Sequence, residues 1–201
     1  MRIQTMQTKP VNQPMQENLA MQIIGANWKG NIDFLKKVFL KDKSFDVLYI
    51  NSDKSNWLHS ANTLNPSPVE VINFYIEQGV PLDAQNQYGE TPLHYAVREH
   101  NADAVLALLK AGANPHIRNE RGVTALQQLV GKIILEEDVP IFEYMFEYGI
   151  DPYVLVAEGA KVSFFEYLKM ALRPYNSKGE QSYKPYLQPL VDKLTENFQE
   201  K

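Results

Sequence analysis

Apolar residues recur along the chain at intervals of three and four, with polar residues between them, and the same spacing returns block after block. Phe34, Leu35, Val38 and Phe39 form one block, Ile72, Tyr75 and Ile76 a second, and Val105, Leu108 and Leu109 a third. Positions spaced in this way share one face of an α-helix, so each block predicts an amphipathic helix with a single buried stripe. Further on, residues 162–172 are apolar enough for another helix and residues 174–179 read as a loop. Tyr186, Leu187, Leu190, Val191, Leu194 and Phe198 then describe an amphipathic final helix.

Start and stop signals flank these stripes. Ser67-Pro68-Val69-Glu70 reads as N-cap, first and third helical positions, where a hydroxyl and a carboxylate each accept from an orphan backbone N–H. Asn31, Asn101 and Asp138 occupy the corresponding starts of other helices. Gly79, Gly112 and Gly149 stand where a left-handed residue ends a helix, each followed within a few residues by proline. The chain also repeats itself. Asn86-Gln87-Tyr88-Gly89-Glu90-Thr91 is echoed by Asn119-Glu120-Arg121-Gly122-Val123-Thr124, at a separation of 33 for both Gly89 to Gly122 and Thr91 to Thr124. Gly79 to Gly112 is also 33, and Gly112 to Gly149 is 37. A period of this size predicts stacked helical hairpins, each burying its apolar face only against its neighbours.

The block Gly89-Glu90-Thr91-Pro92-Leu93-His94-Tyr95-Ala96, continued by Val105, Leu108, Leu109 and Gly112-Ala113, resembles the ankyrin repeat. The preceding repeat is degenerate: Leu58-His59-Ser60-Ala61 stands 35 residues before Leu93-His94-Tyr95-Ala96, with two extra residues between Ala61 and Ile72. Ala26-Asn27-Trp28-Lys29-Gly30, ahead of Phe34, resembles the helix-turn-helix half of a capping repeat. The resemblance implies an all-α ankyrin-repeat solenoid of about four to five helix-turn-helix units with degenerate capping repeats. It divides the chain into a flexible segment at 1–14, ankyrin repeats at 15–153 (cap 15–50, repeats 51–83, 84–116 and 117–152) and a divergent C-terminal helical cap at 154–201. Repeat 117–152 departs from the pattern, with Ala125 for Pro and Gln127 for His. Its residues 128–135 carry four additional positions, expected to form a longer helix or an apolar extension that is mostly buried.

Composition narrows the chemistry. The 201 residues are 44% hydrophobic and 22% charged, enough for one compact domain or one short repeat array. Cysteine is absent, which excludes disulfides, thiolate catalysis and Cys-ligated zinc. Lys+Arg of 20 against Asp+Glu of 24 leaves a net charge of -4, so no general attraction to nucleic acid or anionic lipid is expected. Lys36, Lys37, Lys41 and Lys43 make the basic cluster, at a helix C-terminus where the dipole favours cations. No run approaches the roughly 18 to 20 apolar residues of a membrane span. The first 18 residues have no apolar core of a signal peptide, so a cytoplasmic location is expected.

Histidine is the remaining residue for metal or acid–base work. In the family the imidazole at the position of His94 bonds the neighbouring Thr and loop backbone, and His59 aligns with it; the resemblance therefore implies scaffold roles for both. His100 replaces the usual inter-helix glycine and His116 lies in a turn, neither with an acidic or His partner at ligand spacing. Glu136-Glu137-Asp138 abuts a helix N-terminus, where negative charge is favoured. No nucleophile motif or phosphate-binding glycine loop is present. The chain is expected to be no enzyme and to hold no metal or cofactor.

What the repeat leaves free is then the candidate site. In the family, the turn before T-P-L-H and the exposed face of the first helix line a concave surface that selects a protein partner. Carried over, this points to Ser52, Asp53 and Ser55, to Gln87, Tyr88, Glu90, Arg98 and Glu99, and to Glu120, Arg121 and Val123. Tyr88 and Arg121 are the strongest anchors, because Tyr and Arg dominate interface hot spots. The mildly acidic array, rich in Asn, Gln and Lys, resembles stand-alone bacterial members. The role expected from that resemblance is an immunity protein neutralising a cognate toxin. The alternatives are a secreted effector engaging host proteins and an enzyme seated in residues 154–201.

Overall fold

The computed structural model describes residues 13–64, 67–130, 132–156, 161–173 and 184–199. Its helices are α1 (Gln13–Trp28), α2 (Ile32–Lys36, prolonged by a π-helical turn at Lys37–Lys41), α3 (Trp57–Ala61), α4 (Val69–Glu77), α5 (Pro92–Arg98) and α6 (Ala102–Lys110). Two 3-10 turns, Leu126–Leu129 and Glu136–Asp138, precede α7 (Val139–Glu147). Then come α8 (Phe164–Ala171), a 3-10 turn at Pro185–Leu187 and α9 (Gln188–Gln199). Extended pairing among the described residues is limited to two isolated bridges, Arg118 with Thr124 and Leu155 with Ser163. The fold is the all-α array that the period predicts.

The hairpins stack in two rows. α1, α3, α5 and the Leu126–Leu129 turn lie side by side as the inner row, and α2, α4, α6 and α7 as the outer row. The predicted stripes supply the core between them, with Leu35, Ile72, Tyr75, Val105 and Leu108 fully buried, and Ile141 and Phe142 of α7 continue it. At the N-terminal end the packing is aromatic, with Trp57 stacked on Tyr75 and Phe39 meeting both edge-on. The Tyr75 hydroxyl donates to Asn27 Oδ1 at 2.8 Å inside this cluster, and burial pushes the phenol pKa up against the pull of that bond. At the other end α9 packs on α8, and Tyr186 of the preceding turn donates to the carbonyl of Ile134.

Helix punctuation follows the sequence in most places. Asn31 and Asn101 accept from the third helical N–H at 3.1 Å, at Phe34 and Ala104. Gly79, Gly112 and Gly149 close their helices at φ of +76°, +100° and +110°. Two expected caps differ. Pro68, not Ser67, holds the N-cap position of α4, and the buried Ser67 Oγ has no hydrogen-bond partner among the described residues. Asp138 does not cap α7; its Oδ2 accepts from the N–H of Leu135 at 2.7 Å, and its Oδ1 lies 2.5 Å from His100 Nδ1. His100 therefore does have an acidic partner, from a point 38 residues further on.

The extra residues of repeat 117–152 do not lengthen a helix. The first helix shrinks to the 3-10 turn at Leu126–Leu129, and the chain runs on to a second turn at Glu136–Asp138. Ile134 is buried while Ile133 is 72% exposed, so the extension is only partly the buried one expected. Gly131 of that stretch, the expected flexible residues 1–12, the loop at 174–179 and the side chain of Phe198 lie outside the described residues; Gln13 and Pro14 already belong to α1.

Candidate protein-binding face

Three turns of one design project from the ends of the hairpins. Asn51, Asn86 and Asn119 each fold a turn on their own side chain, with Oδ1 accepting the N–H groups two and four residues on. The distances are 3.0 and 2.9 Å at Asn51, 2.9 and 3.0 Å at Asn86, and 3.0 and 3.1 Å at Asn119. This is the local bonding that suits Asn to turns. The residue three positions on is left-handed each time: Lys54, Gly89 and Gly122, at φ +60°, +71° and +73°.

The turns then stack through their backbones. The N–H of Gln87 donates to Asp53 O at 2.8 Å, and the N–H of Glu120 donates to Tyr88 O at 3.0 Å. The approach is so close that a Cβ at Gly89 would come within 2.8 Å of the Glu120 nitrogen. Glycine at 89 is thus required twice, for its φ and for the contact with the next turn.

This stacking sorts the positions singled out from the sequence. Ser52, Gln87 and Glu120 form one row and Asp53, Tyr88 and Arg121 a second, all six exposed at the tips. The third row turns inward: Ser55 and Val123 are half-buried, and Glu90 is only 4% exposed. Glu90 is therefore no surface contact. Its Oε2 accepts from Arg98 Nη1 at 2.8 Å and its Oε1 from Gln128 Nε2 at 3.2 Å, so it ties α5 to the following repeat. Arg98 is spent on the same link, its guanidinium 4.2 Å above the Tyr95 ring and its Nε 3.5 Å from Glu99. Removing one partner of such a buried pair costs more than the pair contributes, so Glu90 and Arg98 belong to the scaffold.

The two repeat histidines join successive turns to the inner helices. His94 Nδ1 accepts from the Thr91 hydroxyl at 2.9 Å, and Nε2 lies 3.0 Å from the Val123 carbonyl, so the neutral ring carries its proton on Nε2. His59 repeats the arrangement one unit earlier, with Nε2 3.0 Å from the Glu90 carbonyl and Nδ1 accepting the Asn56 N–H at 3.2 Å. Burial pulls the pKa of His59 down to about 4 and lowers that of His94, against the opposing pull of those carbonyls. Among the described residues no group of three or more His, Asp or Glu is placed to hold a metal ion. No described helix is long and apolar enough to cross a membrane.

One part of the face is absent from the sequence-derived set. Between α1, α3 and the Asn51 turn lies a groove of about 370 Å³, lined by Met21, Trp28 and Leu64 among others. Periodicity assigns apolar side chains to the core, and only the arrangement of neighbouring helices leaves these three open to solvent. The available signal was a missing glycine: Leu64 takes the left-handed position that Gly30 and His100 hold between their helices.

The family model for ankyrin repeats in many copies matches residues 75–127. Palmitoyltransferase Hip14 of Drosophila melanogaster is 33% identical over 88 residues, 43% of this chain and 14% of that protein. The potassium channel AKT2/3 of Arabidopsis thaliana is 34% identical over 96 residues, 45% of the chain and 12% of the channel. The ankyrin repeat, SAM and basic leucine zipper domain-containing protein 1 of Colobus guereza is 29% identical over 86 residues, 43% of the chain and 18% of the relative. The chain thus spans less than a fifth of the length of these relatives, whose names describe different proteins. The matched repeats, the stacked Asn turns and the His94 link between successive units agree on one assignment: residues 75–127 carry ankyrin repeats, within an all-α array of stacked helical hairpins.

Proposed function

We propose that the protein is a non-catalytic, stoichiometric binder that holds a protein partner on its turn tips and inner helices. The observation that supports this best is the register of Asp53, Tyr88 and Arg121: equivalent, exposed, and aligned by the backbone bonds of the stacked turns. Scaffold roles absorb the polar groups behind them, so recognition falls to these tips. A rigid face of this kind acts by covering a surface, and order already present before binding lowers the entropic cost of association. Within that class we place the chain as a cytoplasmic immunity protein that neutralises a cognate toxin by masking it.

The test uses the full chain and a partner recovered with it as bait. In calorimetry, Tyr88→Ala combined with Arg121→Ala should weaken binding by more than about 2 kcal/mol while leaving the melting temperature unchanged. Unchanged affinity would move the interface off the tips. For the immunity role, co-expression with the partner should restore growth, and the double variant should fail to do so; a partner that is harmless when expressed alone overturns that role.

A further inference from the structure

Leu64 is costly to the fold in two ways. Its backbone sits at φ +57°, where a branched side chain is strained, and its side chain is 77% exposed. Neither feature helps the hairpin stand, and strain of this kind points to a use outside stability. The side chain rims the groove into which Met21, 66% exposed, and Trp28, 38% exposed, also open. Three large apolar groups thus converge on one hollow of about 370 Å³ instead of entering the core.

The charged side chain on the lining of the hollow is negative, while Lys29 and Lys54, exposed beside Trp28 and Asp53 in the sequence, lie off it. Asp53 supplies the carboxylate on its lining. Glu17, one helical turn before Met21 on α1, and Asp46 border a second hollow of about 390 Å³, where Lys43 is the single base on the lining. None of the three carboxylates is ion-paired among the described residues. His59, at the floor, is held neutral by burial.

We propose that this groove takes a basic amphipathic segment of the protein partner, seating a bulky apolar side chain among Met21, Trp28 and Leu64 while a flanking Lys or Arg meets Asp53. The inference rests on the protein-binding reading above and names the chemistry of the bound segment. Apolar walls supply the contact area, and the unpaired carboxylates choose the sign of the flanking charge.

Trp28 provides the reporter, because the other tryptophan, Trp57, is buried at 4% exposure. A displayed library of random peptides of about 16 residues is selected on the full chain, and enriched peptides are titrated by tryptophan fluorescence. Enriched peptides should combine a bulky apolar residue with an excess of Lys or Arg, shift the emission to the blue, and bind more weakly as salt rises. Leu64→Gly suits the left-handed backbone, so it should keep or raise the melting temperature while weakening binding at least about tenfold. Leu64→Asn, also tolerant of that conformation, should do the same. Asp53→Asn should weaken binding about threefold and flatten the salt dependence.

Enriched peptides that are acidic or uncharged, no enrichment at all, or equal affinity for the Leu64 variants would each overturn the groove. Blue-shifted emission with phosphatidylserine–phosphatidylcholine vesicles would overturn it in favour of a lipid surface. Peptides that depend on Tyr88 and Arg121 but ignore Leu64 and Asp53 would remove the groove and leave protein binding standing. Failure of the protein-binding reading itself is registered separately, by the absence of any partner sensitive to the tip variant.

Discussion

Lys54 and His100 sit in the same backbone conformation, at φ +60° and +57°, yet substitutions at the two should have opposite effects. Lys54 holds the place that Gly89 and Gly122 take in the neighbouring turns, and its exposed side chain shows no ion pair among the described residues. Lys54→Gly relieves the steric cost and should raise stability by about 0.5 to 1 kcal/mol, read from the urea midpoint. His100→Gly gains the same relief and loses the donor to Asp138, whose side chain is fully buried. A buried carboxylate left with one bond is the larger effect, so this variant should lose roughly 1 to 3 kcal/mol. The missing glycine at His100 was legible along the chain. Its compensation was not, because Asp138 comes from the next repeat and its approach depends on how the extension at 128–135 folds back.

Between elements, acid stability depends on the histidine links. His59 and His94 are neutral in the folded chain, while the unfolded chain takes up their protons near pH 6.5. Stability is therefore complete above about pH 6.5 and falls as the pH drops toward 4, since the unfolded state binds more protons across that window. For His59 the loss should reach about 3 kcal/mol at the acid end. Urea midpoints measured from pH 7 to pH 4.5 check the slope, and His59→Gln should flatten it. The third repeat already carries that replacement: Gln127 Oε1 accepts the Thr124 N–H at 2.7 Å, reproducing the local half of the link without a titrating ring. Sequence resemblance was enough to assign both histidines, because the donor, the ring and the accepting carbonyl recur in repeats 51–83 and 84–116. It was not enough for Glu90, which shares its register position with half-buried Ser55 and Val123 and, as a charged residue, reads as exposed along the chain; Arg98 and Gln128 hold its carboxylate from two successive units.

Across the whole molecule, a stack of hairpins has no single core, and each unit is as stable as its two interfaces make it. α6 lies between α4 and α7 and has neighbours on both sides, whereas α9 packs on α8 at one end. Hydrogen exchange should accordingly find the slowest amides in α4 and α6 and the fastest helical amides in α9. Uniform protection from α1 to α9 would mean that the array unfolds as one cooperative body.

The outer-row helices α2, α4, α6 and α7, the left-handed stops, the order of the hairpins and the scaffold histidines were legible in the sequence alone. Each depends on spacing within one repeat or on a bond that recurs with the period, and both are written in linear order. Tertiary structure decided which polar and apolar side chains remain free. Exposure of Met21, Trp28 and Leu64, burial of Glu90 and the His100–Asp138 bond all depend on groups contributed by different hairpins. The distances between such groups are set by how the hairpins pack, and no period along the chain encodes them.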